Sequence, residues 1–448
     1  MADPYLLVAG QFKNPPSTFS ERLKHLGPGF ILSATIVGSG ELIATTTLGA
    51  QAGFITFWVI IVSCLVKVAV QIEFTRHTIL TGRTSMQIIG EVPGPRIGKS
   101  KWSVWLMLLL MIFKLLQVGG IVGGVAIIMN IILPSLSITL WSFTIAVVVA
   151  LLTFQGYYQR IERASLVMIT LFTLFTALSL YFVRYTPYSF SWQDIFLGLQ
   201  FHLPRESVAV AIGAFGITGV GGEEILYYNY WCLEKGYSRS TGPEEDNEAW
   251  RSRASGWIKT MYLDAILAMF LYTIVTALFY LLGSSVLYSQ GKIPEGYQMI
   301  EILSGIYTDT LGPGAKTIFL AGAFLVLFST LFAALASWTR LWPDMFSELN
   351  WFDFHNEEKR NRLIAILAWT FPMVWALLFA FIKLPVIMVL SGGIAGSVIL
   401  FLIVYTTIYL RYYKVNKHFI PGKVYDIILW ISFVSIIGVG VYGVYKLI

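Results

Sequence analysis

The chain has 448 residues, 56% of them hydrophobic and 12% charged, with a mean hydropathy of +0.71; soluble domains carry about 25% charge, so this composition points to a polytopic membrane protein. Its two cysteines, Cys64 and Cys232, argue against a disulfide framework or a cysteine metal cluster. The net charge of +6 is read as a topology signal, not as nucleic-acid binding, and no nucleotide fingerprint or catalytic-triad spacing suggests an enzyme or a cofactor.

Residues 1–28 form a polar arm in which 20–24 are expected to make a short interfacial helix, with no cleavable leader. Eleven spans of roughly 20 apolar residues, the length a bilayer demands, then follow. They lie at 29–52, 54–80, 103–132, 139–155, 164–183, 207–232, 257–286, 315–339, 363–381, 385–411 and 425–447. Placing the N-terminus inside puts 23 of the 31 Lys and Arg on the inner side, six outside, and Lys67 and Lys114 within spans. That bias predicts a cytoplasmic N-terminus and an external C-terminus.

Span 1 carries Thr35-Ile36-Val37-Gly38-Ser39-Gly40-Glu41-Leu42-Ile43. A mid-membrane carboxylate such as Glu41 normally faces a cavity or a partner, whereas the glycines alone would mean tight helix packing. Span 2 holds Lys67, free to pair with a carboxylate across the bundle, and Glu73, expected to pair with Arg76. Span 3 holds Lys114 and Gln117; Lys114 either neutralises a site glutamate in the empty state or snorkels. A short inner turn is expected at 159–163.

Span 6 repeats the interruption as Thr218-Gly219-Val220-Gly221-Gly222-Glu223-Glu224-Ile225-Leu226. The two segments share Thr35/Thr218, Val37/Val220, Gly38/Gly221 and Glu41/Glu224. Corresponding glycine-interrupted segments in two halves of a membrane protein mark the substrate site of a transporter. Five spans separate them, so the second copy enters the membrane from the opposite side. The expected organisation is an inverted five-plus-five repeat, all-α, over 29–183 and 184–411, with 412–448 as linker and eleventh span. Glu41 and Glu224 are the leading site carboxylates, with Glu223 beside them. Unwound backbone at Val37, Gly38, Gly219, Gly221 and Gly222 would offer carbonyl ligands. Further along, Asp264 in span 7 belongs either to an inner gate or to a structural hydrogen bond. Gly392, Gly393 and Gly396 in span 10 mark a hinge or close packing.

Several of these stretches together resemble the Nramp family of divalent-metal transporters. They are Gly27-Pro28-Gly29-Phe30, Gly38-Ser39-Gly40-Glu41, Gly49-Ala50-Gln51-Ala52-Gly53-Phe54, Gln71, Thr81-Gly82, Gln159-Arg160-Ile161-Glu162 and the span 6 break. The resemblance covers nearly the whole chain and implies a LeuT-like fold with spans 1 and 6 broken. It departs at the site. The family's Asp-Pro-Gly-Asn of span 1 and Met-Pro-His of span 6 place its metal-binding Asp at Gly38, its Asn at Glu41, its Met at Gly221 and its His at Glu223. The span 3 acids that the family uses for proton passage stand here as Lys114 and Gln117.

Losing the thioether removes the preference for soft metals, and carboxylates with backbone carbonyls make a hard oxygen site suited to Mg²⁺, Ca²⁺ or Mn²⁺. Two side chains shortened to glycine predict an enlarged cavity. The expectation is an alternating-access transporter in the cell membrane, monomeric, moving a hard divalent cation with weak or absent proton coupling. The alternative is a LeuT-fold transporter of a small organic cation or zwitterion, an amine or amino-acid-like solute.

Overall fold

The computed structural model describes residues 3–7, 10, 12–154 and 158–447, and these are mostly helical. Among them, eight helical runs are long and apolar enough to cross a membrane, and Ile138–Thr153 and Thr170–Val183 are shorter apolar helices. Eight helices carry the argument that follows: α1 (Pro28–Ile36), α2 (Phe57–Thr81), α3 (Trp102–Ile132), α4 (Val208–Ile217), α5 (Gly222–Lys235), α6 (Glu248–Leu282), α7 (Ala315–Glu348) and α8 (Pro385–Tyr409).

The polar arm contains the helix Phe19–His25, started by a capping box in which Thr18 and Glu21 exchange side-chain and backbone bonds. The turn expected at 159–163 is not a turn, because the backbone is helical from Tyr158; the side chains of Gln159-Arg160-Ile161-Glu162 lie outside the described residues. The loop after α2 holds the only strand pair among the described residues, Arg96–Ile97 with Ser100–Lys101. Glu73 and Arg76 form the expected ion pair at 2.8 Å.

The helices around the two interruptions are drawn together by missing side chains. A Cβ on Gly216 of α4 would stand 1.7 Å from the carbonyl oxygen of Gly393 in α8, so the two backbones touch. Ser397 Oγ completes the contact by donating to the Ile212 carbonyl at 3.0 Å. The glycines of α8 therefore serve close packing, which is how small residues join helices in a bilayer.

Candidate functional site

The first interruption follows α1. Val37 leaves helical geometry (φ −69°, ψ 79°), and helical backbone resumes as a π-type run over Gly40–Thr45. The Glu41 side chain, wholly buried, folds back on this gap. Its Oε2 accepts from the Gly38 amide at 3.2 Å and its Oε1 from the Thr276 hydroxyl of α6 at 3.0 Å. Glu41 thus closes its own break and ties it to α6.

The second interruption follows α4. Thr218 is extended, Gly219 takes φ +62°, a left-handed angle that favours glycine, and Gly221 leads into α5. Ending a helix frees its last carbonyls, and α2 covers them. Lys67 Nζ donates to the Phe215 carbonyl and, at 2.9 Å, to that of Thr218. One turn earlier on α2, Ser63 Oγ stands within hydrogen-bond distance of the same two oxygens, at 3.1 and 2.9 Å. Lys67, free by sequence to pair with a carboxylate across the bundle, caps a helix end instead, because freed carbonyls lie within its reach. Glu223 and Glu224 occupy the first turn of α5, where the positive end of the helix dipole favours carboxylates.

Between the two interruptions lies a cavity of about 30 Å³, bounded by Thr35, Ile36, Ser39 and Gly40 on one side and by Ile217, Glu223 and Glu224 on the other. Gly40 allows the approach, since a Cβ there would sit 3.1 Å from the Ile217 carbonyl oxygen. Lys114 and Gln117 of α3 close the third side. Lys114 makes an ion pair with Glu223 and donates to Gln117 Oε1. The Oε2 atoms of Glu223 and Glu224 are buried and have no hydrogen-bond partner among the described residues. The Glu41 carboxylate does not border this cavity.

The cavity is not enlarged, contrary to the expectation from Gly38 and Gly221. A Cβ on Gly38 would lie 1.9 Å from Thr330 Oγ1, and one on Gly221 would lie 2.2 Å from Glu224 Oε2. A threonine of α7 and the glutamate itself have filled the vacated volume, leaving space for about one or two waters. No cluster of three or more His, Cys, Asp or Glu is assembled among the described residues.

Asp264 sits apart from the cavity, at the N-terminus of α1. It accepts from the Gly27 amide at 3.0 Å, the Gly29 amide at 2.5 Å and the Tyr228 hydroxyl at 2.8 Å, so it ties α6 to both α1 and α5. That end is closed further by the Glu234–Arg340 pair at 2.6 Å, onto which the Tyr5 hydroxyl donates at 2.6 Å. Towards the opposite end, beyond Thr47 and Gln51, a cavity of about 650 Å³ opens between the segment 293–298 and the start of α8. Ser63, Thr276 and Thr330 escaped sequence reasoning. Ser63 had a signal, four residues before Lys67 on the same helix face. The threonines had none, since each also satisfies its hydroxyl on the carbonyl one turn back.

The family model described as "Natural resistance-associated macrophage protein-like" (Nramp) matches residues 29–446. The chain is 23% identical over 341 residues to an uncharacterised protein of Pasteurella multocida, covering 72% of this chain and 71% of that one. It is 27% identical over 306 residues to the divalent metal cation transporter MntH of Mycobacterium leprae, covering 66% of this chain and 65% of that one. A mutant of the Eremococcus coleocola manganese transporter has the same fold, with a TM-score of 0.53 at 12% identity over 99% of both chains. So does the nucleobase-cation-symport-1 family transporter Mhp1, closed with bromovinylhydantoin bound, with a TM-score of 0.56 at 16% identity over 97% of this chain and 92% of that one.

Proposed function

This chain belongs to the Nramp family, and from that premise we propose that it is a secondary transporter that moves a hard divalent cation, Mg²⁺ or Mn²⁺, by alternating access. The observation that carries the reading is the pair Glu223 and Glu224, two buried carboxylates at one small cavity, each with an oxygen that no donor among the described residues meets. An unmet buried acceptor costs about 1–3 kcal/mol, and a cation between the two removes that cost.

In this reading the cation takes Glu223 and Glu224 as its carboxylate ligands once Lys114 yields. Gln117 and the backbone oxygens of Val37, Gly38, Gly219, Gly221 and Gly222 are the further ligands as the cavity widens. Glu41 supports the first interruption from behind. Two carboxylates without a preformed oxygen cage suit Mg²⁺, which keeps part of its water, better than Ca²⁺ with its six to eight oxygens. The divalent ion is cargo, and the chain is neither an enzyme nor a cofactor carrier. Lys114 and Gln117 in place of acids support weak or absent proton coupling.

The same reading assigns eleven spans in an inverted repeat. Pro28–Ile36 and Gly40–Ala52 make the first, the turn at Gly53 (φ +61°) begins the second, and α4 and α5 make the broken sixth. The excess of Lys and Arg supports a cytoplasmic N-terminus in the cell membrane. The open 650 Å³ cavity then faces outward and the Asp264 end faces inward. The unit of transport is taken as a monomer.

One observation favours a second reading, a transporter of a small organic cation: Glu223 already holds a primary ammonium, that of Lys114. Against it stands the size of the cavity. The fold does not decide, because one neighbour is named a manganese transporter and another a nucleobase-cation-symport-1 family transporter. Isothermal titration of the purified protein with Mg²⁺, Mn²⁺, Ca²⁺ and methylammonium separates the two. Mg²⁺ and Mn²⁺ should bind the wild type and fail to bind Glu223→Gln and Glu224→Gln. Heat from methylammonium alone, with no divalent binding at millimolar levels, would replace the first reading by the second.

A further inference from the structure

Lys67 is a full-length ammonium with no exposed surface, far from the water a lysine normally seeks. Its surroundings are unusual in kind. The atoms around Nζ are the Phe215 and Thr218 carbonyl oxygens, with the face of the Phe215 ring 4.6 Å away. Ser63 Oγ stands within hydrogen-bond distance of both carbonyls and 2.9 Å from Thr218 Oγ1, so four oxygens cluster at one spot. Among the described residues no carboxylate bonds to this lysine; the negative end of the α4 dipole and the freed carbonyls hold it.

In transporters built on broken helices, unwound carbonyls and half-helix C-termini are where a monovalent co-ion is coordinated. Here that place is filled from within the chain. We infer that the Lys67 ammonium is a resident, covalently tethered cation that occupies a monovalent-ion seat at the end of α4, so that the transport cycle runs without a monovalent co-ion at this position. The inference does not depend on what the cargo is, because it concerns the Phe215 and Thr218 carbonyls and not the Glu223–Glu224 cavity. It also gives α2 a role: its face from Ser63 to Lys67 carries the charge that lets α4 stop in mid-membrane, where freed carbonyls otherwise stand unsatisfied.

The test uses the full chain in detergent at constant ionic strength, with choline chloride as the reference salt. Lys67→Ala empties the seat while leaving Ser63 and both carbonyls in place. Its melting temperature should fall below that of wild type in choline and should recover, in a dose-dependent way, in methylammonium, ammonium or sodium chloride. Lys67→Met fills the space without charge; it should fall as far and recover in none of these salts. Lys67→Ala that melts with wild type, or that falls and recovers in no salt, would overturn the inference. A second arm needs no variant. Wild-type melting, and Mn²⁺ uptake into liposomes where uptake is seen, should be the same in sodium, potassium, ammonium and choline. A wild type stabilised specifically by sodium or potassium would show that the seat is vacant, and the inference would fail.

Discussion

Lys114→Met is the most informative change at the cavity, because it removes the ammonium and leaves a side chain of similar length. Lys114 and Glu223 are 1% and 3% exposed, so the pair is fully buried. Deleting one member of a buried ion pair typically costs about 3–5 kcal/mol, since it strands the other charge. The empty variant should therefore unfold earlier than wild type, and adding Glu223→Gln should return part of the loss. Binding should move the other way. A cation that enters wild type must detach Lys114 from Glu223; if only 1.4 kcal/mol of that cost falls on the ion, its absence tightens binding about tenfold. Titration calorimetry with Mg²⁺ and Mn²⁺ on both proteins, beside unfolding with and without the ion, measures both effects. The variant should be the less stable protein without ion and the more strongly stabilised one with it. Unchanged or weaker binding would show that the ammonium and the cargo do not share a place, and the reasoning would fall.

Three further changes probe the surroundings. Glu41→Gln swaps one acceptor oxygen for a donor that the Gly38 amide cannot use, so it should cost about 1–3 kcal/mol in chemical unfolding while Mg²⁺ binding drops far less than in Glu224→Gln; equal loss of binding in the two would move Glu41 into the first ring of ligands. Asp264→Asn leaves one acceptor oxygen where two amides and a tyrosine hydroxyl now meet a carboxylate; hydrogen exchange at Gly27 and Gly29 should accelerate, and unaltered protection there would refute the capping role. In the loop after α2, burial pushes the Glu91 carboxyl up, but the His77 ring 3.8 Å away and the hydrogen-bonded Arg83 guanidinium outweigh it and bring the group down to about 2 from 4.5. A lowered folded pKa means that the contribution is complete above about 4.5 and lost as pH falls toward 2. Wild type should outmelt Glu91→Gln at neutral pH, and the gap should shrink on acidification; a gap that widens would contradict the pairing.

What the sequence made legible were features that violate a rule of the bilayer. Glutamates beside glycines inside apolar stretches mark both interruptions, because a carboxylate in the middle of a membrane helix calls for a cavity or a partner. Which way those glutamates turn was not legible. Glu41 meets Thr276, 235 residues downstream, and nothing local to either residue announces the other. The partners of Lys67 were hidden for a different reason. They are main-chain carbonyls, which every residue carries, so only the place where α4 ends identifies them. The size of the cavity was misjudged because the count of missing side-chain atoms at Gly38 and Gly221 ignored close packing. Interiors do not keep open volume, and Thr330 and Glu224 occupy the space beside the two glycines.

The two interruptions pose two electrostatic problems, and the chain answers them unequally. At the end of α4 the freed carbonyls are matched by Lys67 and Ser63 together. At the start of α5 there are two carboxylates and one ammonium, and two oxygens stay unmatched. The imbalance matters because of which helices it joins. Lys114 belongs to α3, Glu223 to α5, and their ion pair ties those helices. On the proposed reading, a divalent ion drawn to Glu223 and Glu224 breaks that tie and forms a new one toward the backbone of the first interruption. A ligand shifts a conformational equilibrium only by what it contacts differently in the two states. Exchange of the α3–α5 tie for an ion-mediated α1–α5 tie is such a difference, and it requires the lysine and both glutamates at these positions.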